Sequence, residues 1–508
     1  MVPILLIERD ITHNRKPFIH LFWLTYLAFL TWNALTTWWI WIATPAGAIG
    51  AIMANTFLMC IPVMLFHSTR KRAGERIGYV SLPVYWIAFE YLHHQWELAW
   101  PWLTLGNGFA MFPQFIQWYE LSGALGGSLW IWIVNLMILR LILVPPFMEG
   151  RIRMQLVLRK VVATIAALVA PIALSLLAFF TYAEKGRSIE VVVVQPNFNP
   201  YHEKFPDGDR FIPYQQQVER LINLSERLIT ENTALLVWPE TALPGGMDMD
   251  SLEEHWQVMM MRHLLDTHPQ LTIVSGIDGY KVLDKEDRTA TARRTGNPNL
   301  WVDFYNTAIM LDSSTSIQHY HKSKLVPGVE RMPYPQLFRL LDRFAIDMGG
   351  ITGSLGMQDE RTVFFDSDSR GFAPIICFES VFGAYVGAYV RNGAHAILVI
   401  TNDGWWGNTA GHKQHLYFSS LRAIEMRRPV ARSANTGISC FVDRRGVIHQ
   451  STEYGEPDAI RGEMLLNDRV TFYAHHGDVI GSAFLWLAAA LIIYTFYLRV
   501  RKKKSTLA

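Results

Sequence analysis

Three chemically reactive side chains, far apart in the chain, each stand at the end of an apolar, strand-like run. They are Glu240 in LLVWPETALP, Lys322 in YHKSKLVPGVE and Cys377 in APIICFES. A thiol is a weak nucleophile at its usual pKa, but a base can remove its proton and a cation can stabilise the oxyanion that its attack creates. Together, the three side chains have the chemistry needed for nucleophilic acyl transfer or hydrolysis.

Taken singly, each of these residues has an ordinary structural explanation. Cysteine usually packs as a small buried hydrophobe, a carboxylate after a strand is usually solvated, and Lys322 beside Lys324 has the pattern of surface charge. The other cysteines lack a chemical context, since Cys60 lies in a long apolar run, as a lipid-facing or packing residue, and Cys440 lies in a strand-like run. The cysteines show neither zinc-ligand spacing nor a disulfide framework.

The composition of the chain indicates a membrane protein with more than one domain. Its 508 residues are too many for one ordinary core, half of them are hydrophobic, and 18 are tryptophan. The formal net charge is only +2, and the basic residues form short clusters beside apolar runs rather than a stripe. We therefore expect a membrane and no nucleic acid among the partners of the chain.

Several apolar stretches are long enough to cross about 30 Å of hydrocarbon. They lie near residues 18–43, 46–66, 127–147, 161–182 and 479–500. A sixth stretch, residues 77–92, is shorter and contains Glu90, so a buried or interfacial helix is the alternative there. The basic clusters lie at residues 15–16, 70–76, 151–160 and 499–504. The positive-inside rule places all four clusters on the cytoplasmic side. The spans can alternate in that way only if residues 77–92 also cross the membrane.

This topology predicts three parts of the chain. We expect a helical membrane domain over residues 1–182, an extracytoplasmic catalytic domain over 183–478, and a final transmembrane helix with a basic tail over 479–508. The opening run MVPILLI is unlike a signal peptide and is typical of the tail of another span. The expectation is that the sequence starts late and lacks about one and a half helices at the start of the membrane domain.

The region between the apolar stretches has the alternation of an α/β fold. A helical pattern covers residues 213–230, and charge-rich residues 285–299 predict an exposed loop. The strand-like runs are residues 189–194, 234–238, 271–275, 375–378 and 396–400. This pattern predicts layered helices and strands.

The ordered set Glu240, Lys322 and Cys377 resembles the carbon–nitrogen hydrolase, or nitrilase, superfamily. The resemblance covers about residues 189–466 and implies a four-layer α-β-β-α sandwich. Other short segments agree with it, namely Val194 to Asn197, Ser275 to Ile277, Tyr305 to Thr307 and Thr401 to Gly407.

A nitrilase-like domain between membrane helices is similar to the apolipoprotein N-acyltransferase family. The segment WPWLTLG at residues 100–106, with Pro113, Gln117, Gly123 and the GGS at 126–128, resembles that family's membrane domain. An interfacial aromatic belt is the alternative explanation for the tryptophans. Moving a sixteen-carbon chain from lipid to water costs on the order of 13 kcal/mol, so an enzyme that uses such a donor should meet it in the bilayer.

The resemblance implies a two-step, ping-pong transfer. Cys377 takes an acyl chain from a membrane phospholipid as a thioester, and the α-amine of the N-terminal diacylglyceryl-cysteine of an apolipoprotein then receives it. Glu240 is the implied base, and Lys322 with backbone amides stabilises the oxyanion. No cofactor or metal is expected. The implied location is the bacterial inner membrane, with the catalytic domain on the periplasmic face, and we expect a monomer.

Further residues match supporting positions of the family. Glu330 and Glu379 match carboxylates that either position the Lys322 ammonium or serve as structural partners. Asn306 is expected to organise the site or the strand packing, and Phe205 lies about where the family has a tryptophan on a mobile lid loop.

The chain also departs from the family pattern near the site. Lys324 stands where a histidine is common, Phe378 stands where a tyrosine often follows the cysteine, and Gly328-Val329 replaces a Phe-Gly pair. These changes affect the expected details of substrate gating, and the added cation at Lys324 bears on head-group preference.

Two other functions remain open at this point. A membrane-tethered amidase or nitrilase would use the same three residues with water in the second step. A catalytically inactive membrane binding protein is the third possibility, and the intact set of three residues argues against it.

Overall fold

The computed structural model describes residues 1–14, 16–144, 150–334 and 354–505. It divides into two compact units. The first comprises Met1–Trp38, Ala48–Thr181 and Asp478–Ala508, and the second comprises Trp39–Gly47 and Tyr182–Gly477.

The first unit is helical, and the second contains both helices and strands. The helices of the described chain are, in order, α1 (Val2–His13), α2 (Phe18–Thr37), α3 (Ile40–Ala43), α4 (Pro45–His93), α5 (Tyr119–Ile142), α6 (Gly150–Thr181), α7 (Tyr214–Glu226), α8 (Trp256–Thr267), α9 (Gly383–Arg391), α10 (Ala410–Met426), α11 (Phe472–His476) and α12 (Val479–Ser505). Short 3₁₀ helices span Pro101–Leu103, Leu105–Phe109, Pro113–Phe115, Leu252–Glu254, Cys377–Val381 and Asp403–Trp406.

The strands all belong to the second unit. They are β1 (Ser188–Gln195), β2 (Thr233–Val237), β3 (Leu243–Asp248), β4 (Thr272–Asp284), β5 (Arg293–Arg294), β6 (Leu300–Leu311), β7 (Gln318–His321), β8 (Phe364–Phe365), β9 (Gly371–Ile376), β10 (Ala396–Thr401), β11 (Val430–Ala434), β12 (Cys440–Val442), β13 (Ile448–His449) and β14 (Asp458–Leu465).

Among the residues that the structure describes, five helices are long and apolar enough to cross a membrane. They are α2, α4, α5, the Met154–Thr181 part of α6 and the Val479–Lys502 part of α12. The end of the predicted third stretch, residues 145–147, and the basic residue Arg15 lie outside the described residues. By length and composition, these helices indicate a multi-pass membrane protein.

The longest of these helices, α4, is a helical hairpin. Its 49 residues would extend about 74 Å if straight, at 1.5 Å per residue, which is more than twice the hydrocarbon thickness. Gly74 breaks the helix with a φ of 86°, a left-handed conformation that glycine adopts without a Cβ clash. The two limbs pack together, because Thr69 Oγ1 lies 2.8 Å from Tyr85 Oη. The limbs contain the predicted stretches 46–66 and 77–92, and the crossing of the second stretch stays a prediction.

A buried carboxylate fixes the tryptophan-rich segment of the first unit. Glu90 accepts hydrogen bonds from Trp86 Nε1 at 2.9 Å and from the backbone N–H of Leu105 at 2.8 Å. Trp102 is buried, so this ring is a packing residue rather than part of a lipid-facing aromatic belt.

The second unit has the predicted α-β-β-α layers. Its first sheet has the order β14-β1-β2-β4-β6-β5, with β3 beside β4 and β7 beside β6, and its second sheet has the order β13-β12-β11-β10-β9-β8. Ser433 Oγ on β11 donates to the Val194 carbonyl on β1 at 2.7 Å, so the two sheets face each other. The central strands are buried on both faces, as their continuous apolar sequences predict.

Helices cover the outer face of each sheet. Val218 and Leu221 of α7 and Val258 of α8 pack in one core with Val192 of the first sheet, while α9 and α10 pack on the second sheet. The spacing of the buried residues on α7 is that of an amphipathic helix. The predicted α/β sandwich is therefore confirmed.

Some strand boundaries differ from the prediction. A strand was predicted over residues 375–378, but β9 covers Gly371–Ile376, and Cys377 and Phe378 begin a 3₁₀ helix. The sequence predicted a strand ending at Ser275, but β4 continues to Asp284 because it pairs with β6 in unbroken antiparallel register from Ile273–Leu311 to Asp284–Leu300. Its outer half is polar and partly exposed, so hydrophobicity does not reveal it. The predicted loop 285–299 connects these two strands and contains the short strand β5.

The contact between Gly106 and α5 leads to a stability prediction. A Cβ added at Gly106 would lie 1.8 Å from the Ala124 carbonyl oxygen, whereas one added at Gly108 would meet nothing within 4 Å. Overpacking of this kind costs roughly 1–3 kcal/mol, so Gly106→Ala should lower the Tm of the purified protein and Gly108→Ala should not. Equal Tm values for the two variants would contradict this packing.

Candidate active site

The ends of three strands place the three reactive side chains in one cluster. Glu240 follows β2, Lys322 directly follows β7, and Cys377 directly follows β9. Lys322 Nζ lies 3.2 Å from Glu240 Oε1, and the charges of both residues act on the Cys377 thiol. All three side chains are buried, with exposed fractions of 6%, 1% and 8% in chain order.

The Lys322 ammonium is held between two carboxylates. In addition to Glu240, it donates to Glu330 Oε1 at 2.7 Å. Asn306 Nδ2 donates to Glu240 Oε1 at 2.8 Å, and the Asn306 carbonyl accepts the backbone N–H of Lys322. Burial lowers the pKa of Lys322, but the charges of Glu240 and Glu330 outweigh burial and raise it well above its usual value. Lys322 is therefore a fixed cation at neutral pH.

The Cys377 backbone is in a strained conformation. Its φ is 52°, in the left-handed region that costs an L-residue roughly 1–2 kcal/mol. The residue stands where β9 turns sharply into the 3₁₀ helix Cys377–Val381. This geometry presents the thiol at the turn, and contacts elsewhere must offset the strain.

Glu379 supplies several of these contacts. Its Oε2 accepts the Ile376 N–H at 2.9 Å, and its Oε1 accepts the Ser323 N–H at 2.8 Å and the hydroxyl groups of Tyr320 and Tyr385. The carboxylate therefore links the residue before Cys377 to the residue after Lys322. Of the two supporting acids from the sequence, Glu330 contacts the ammonium, and Glu379 holds the backbone on both sides of the site.

The Cys377 thiol is protonated at neutral pH. Burial raises its pKa most strongly, the Glu240 carboxylate raises it further, and Lys322 opposes both effects. A preformed thiolate is therefore not available at Cys377. Of the two carboxylates that contact Lys322, Glu240 is the one whose charge acts on this thiol.

A second buried network, which sequence reasoning missed, supports the cysteine from the other side. His415 Nε2 lies 3.1 Å from the Cys377 carbonyl oxygen, and its Nδ1 lies 2.8 Å from Asp403 Oδ1. Arg432 donates to Asp403 Oδ2 at 2.6 Å. Burial raises the pKa of Asp403, but Arg432 and His415 outweigh it and hold the pKa well below the usual value. Asp403 lies in the recognised segment 401–407, whereas His415 lies on a helix without a motif.

Lys204 is a second buried lysine that the sequence analysis did not identify. Its ammonium is fully buried and donates to Thr241 Oγ1 at 2.7 Å and to the Glu240 carbonyl at 3.3 Å. Thr241 has a φ of 46°, so Lys204 holds a strained turn next to Glu240. Burial lowers the pKa of Lys204 to about 8, opposed by the charges of Asp278 and Glu240.

The remaining predicted residues lie among aromatic rings. Phe205 is partly buried, and its ring stacks on Trp405 with centroids 6.4 Å apart. Phe378 is buried and meets the Phe382 ring edge-on at 5.2 Å. Lys324 Nζ lies 5.0 Å from the centre of the Phe382 ring, which is a cation–π distance. The lid role of Phe205 stays a prediction.

The chain matches two family descriptions. Residues 212–467, half of the chain, match the carbon-nitrogen hydrolase family, and residues 1–137 match the apolipoprotein N-acyltransferase N-terminal domain. The chain belongs to the carbon-nitrogen hydrolase family, as the order of Glu240, Lys322 and Cys377 predicted.

Its similarity to named relatives extends over nearly the whole chain. A Chlorobaculum tepidum protein named apolipoprotein N-acyltransferase is 29% identical over 97% of this chain and 90% of its own length. A Geobacter metallireducens protein of the same name is 26% identical over 95% and 84%. A solved Saccharomyces cerevisiae member of branch 10 of the nitrilase superfamily has 17% identity and a TM-score of 0.39, over 56% of this chain and 91% of its own.

The opposing effects of Glu240 and Lys322 on the thiol can be measured. In a background with Cys60 and Cys440 replaced by alanine, the pH midpoint of Cys377 alkylation reports its pKa. Glu240→Gln removes a charge that raises this pKa and should move the midpoint to lower pH, whereas Lys322→Met should move it to higher pH. The exposed Glu253→Gln is the control. Shifts in the opposite directions would contradict the proposed electrostatics.

Proposed function

We propose that the protein is an apolipoprotein N-acyltransferase. It transfers an acyl chain from a membrane phospholipid to the α-amine of the N-terminal diacylglyceryl-cysteine of apolipoproteins. The observation that carries this proposal is the buried cluster of Glu240, Lys322 and Cys377, in a chain that also has helices apolar enough to cross a membrane. The relatives named for this activity, which match along both parts of the chain, support it.

In the first step, Cys377 Sγ attacks the carbonyl carbon of a phospholipid ester. Glu240 takes the thiol proton as the carbon–sulfur bond forms, and the carbonyl oxygen becomes an oxyanion beside the Lys322 ammonium. The ester carbon–oxygen bond then breaks, and Glu240 returns the proton to the departing glyceryl oxygen. A lysophospholipid leaves, and the acyl chain remains on Cys377 as a thioester.

In the second step, the α-amine of the acceptor attacks the thioester carbon. Glu240 removes a proton from the amine, Lys322 again faces the oxyanion, and the carbon–sulfur bond breaks as the amide forms. The sulfur recovers its proton from Glu240, so the site returns to its starting state. The overall change from ester to amide is downhill, as is the second step from thioester to amide, and the two steps need no further reactant.

The apolar helices of the chain support a phospholipid as the acyl donor. A sixteen-carbon chain would cost on the order of 13 kcal/mol to expose to water, so a bilayer-embedded entry route is required. We place the chain in the bacterial inner membrane, with residues 183–478 as the periplasmic catalytic domain between membrane parts 1–182 and 479–508. The basic clusters beside the apolar helices support this orientation through the positive-inside rule.

The proposed nucleophile can be tested with labelled phospholipid. Mass spectrometry of the intact protein should show one added acyl group on the peptide that contains Cys377, and a diacylated lipopeptide should then become triacylated. Cys377→Ala should abolish both signals, because no other group in the cluster forms a thioester. Cys60→Ala and Cys440→Ala, which remove the other buried free thiols, are matched controls and should retain both signals.

Two results would overturn the proposal. Acyl labelling that persists in Cys377→Ala would remove the nucleophile. Release of free fatty acid without any transfer to the lipopeptide would instead favour a membrane-tethered hydrolase of the amidase type.

Lys204 should affect acyl-enzyme formation through the strained turn at Thr241, next to Glu240. Lys204→Met removes both hydrogen bonds to the turn, and Thr241→Val removes one of them. A hydrogen bond to a charged group contributes about 1.5–3 kcal/mol, so each variant should slow thioester formation by roughly ten- to a hundredfold. The double variant should be no slower than Lys204→Met alone, and exposed Lys413→Met should match the wild type. If the rate losses of the two single variants added fully in the double variant, this would contradict a shared role of Lys204 and Thr241 in holding the turn.

A further inference from the structure

The first unit contains a groove that the proposed chemistry does not use. It has a volume of about 530 Å³ and lies between the start of α2 and the first limb of α4. Phe18 and Phe22 line it from α2, and Phe57, Ile61 and Met64 line it from α4. All five side chains are apolar, so the greater part of the wall suits a hydrocarbon chain.

The groove changes from apolar to cationic along its length. On α4 the lining residues recur every three or four positions, which places them on one face of the helix. From Phe57 to Arg72 this face extends about 22 Å at 1.5 Å per residue, more than the roughly 15 Å of hydrocarbon in one leaflet. Ser68, Lys71 and Arg72 line the far end. The groove is therefore longer than one leaflet of hydrocarbon, and it ends at polar and basic side chains.

The two cations at that end are not neutralised by nearby acids. The preceding residue, Arg70, pairs with the buried Glu8 and with Glu75. Arg72 donates to the carbonyl and hydroxyl oxygens of Ser68. Within the described ranges, no carboxylate forms an ion pair with Lys71 or Arg72. Two positive charges therefore remain available at the mouth of an apolar groove.

We propose that this groove is a binding site for an anionic phospholipid. One acyl chain lies along Phe22, Phe57 and Ile61, and the phosphate lies between Lys71 and Arg72. The apolar wall favours a lipid over a free phosphate ion, and basic pockets between membrane helices are a known setting for anionic head groups. Because residues 70–76 form one of the predicted cytoplasmic clusters, this lipid comes from the cytoplasmic leaflet, and the site is separate from the proposed acyl-donor site.

The full-length protein in detergent, titrated with lipid and analysed by native mass spectrometry, tests this site. Dipalmitoyl phosphatidylglycerol should bind with one saturable site, and dipalmitoyl phosphatidylcholine should bind much more weakly. Lys71→Gln combined with Arg72→Gln should weaken phosphatidylglycerol binding roughly 30-fold, the effect of two cations at a membrane surface. Ile61→Trp, which fills the apolar part, should weaken it while leaving both charges in place.

The matched control removes two cations outside the groove. Arg501→Gln combined with Lys502→Gln neutralises the exposed end of α12 and should leave phosphatidylglycerol binding unchanged. Equal binding by the groove variants and this control would overturn the proposal, as would equal binding of the two lipids. If inorganic phosphate alone bound the site and displaced the lipid, the site would bind a free anion, and this result would also overturn the proposal. The groove variants should still form the thioester on Cys377, so this test is independent of the proposed enzymatic activity.

Discussion

The burial of the Lys322 ammonium is the constraint on which the rest of the catalytic unit depends. A cation with 1% of its surface exposed loses nearly all of its hydration, and in proteins this costs several kcal/mol unless opposite charges and hydrogen bonds replace the water. Glu240 and Glu330 provide this replacement. Because the two acids come from separate segments, the ends of β2 and β7 and the loop to Glu330 must converge for the fold to be stable.

Burial also decides the state of the cysteine. Burial disfavours a thiolate at Cys377 most strongly, the Glu240 carboxylate adds to this effect, and the Lys322 ammonium opposes both. The site therefore holds a neutral thiol. The strained backbone at Cys377 is held by Glu379 on one side and by His415 with Asp403 on the other, so the thiol stays in position.

The sequence predicted those parts of the structure that depend on local patterns. Glu240, Lys322 and Cys377 could be found because each lies beside an apolar run, in a short segment that resembles a known family pattern. Lys204 and His415 could not be found, because a buried polar residue on a loop or a helix looks the same in sequence as a solvated one. The two limbs of α4 were predicted as separate stretches, but the exact position of the turn between them depends on one glycine, Gly74. The outer half of β4 depends on pairing with β6 rather than on hydrophobicity.

The charge balance around Lys322 also explains why one base serves both proposed steps. At rest the ammonium faces the carboxylates of Glu240 and Glu330. When Glu240 takes a proton from the attacking thiol or amine it becomes neutral, and the negative charge appears instead on the oxyanion. The ammonium therefore faces two negative charges before and during each attack, and no additional ion has to enter a buried site. A cluster with Glu330 absent would leave Lys322 with a single partner, so the supporting carboxylate is as necessary to the electrostatics as the base.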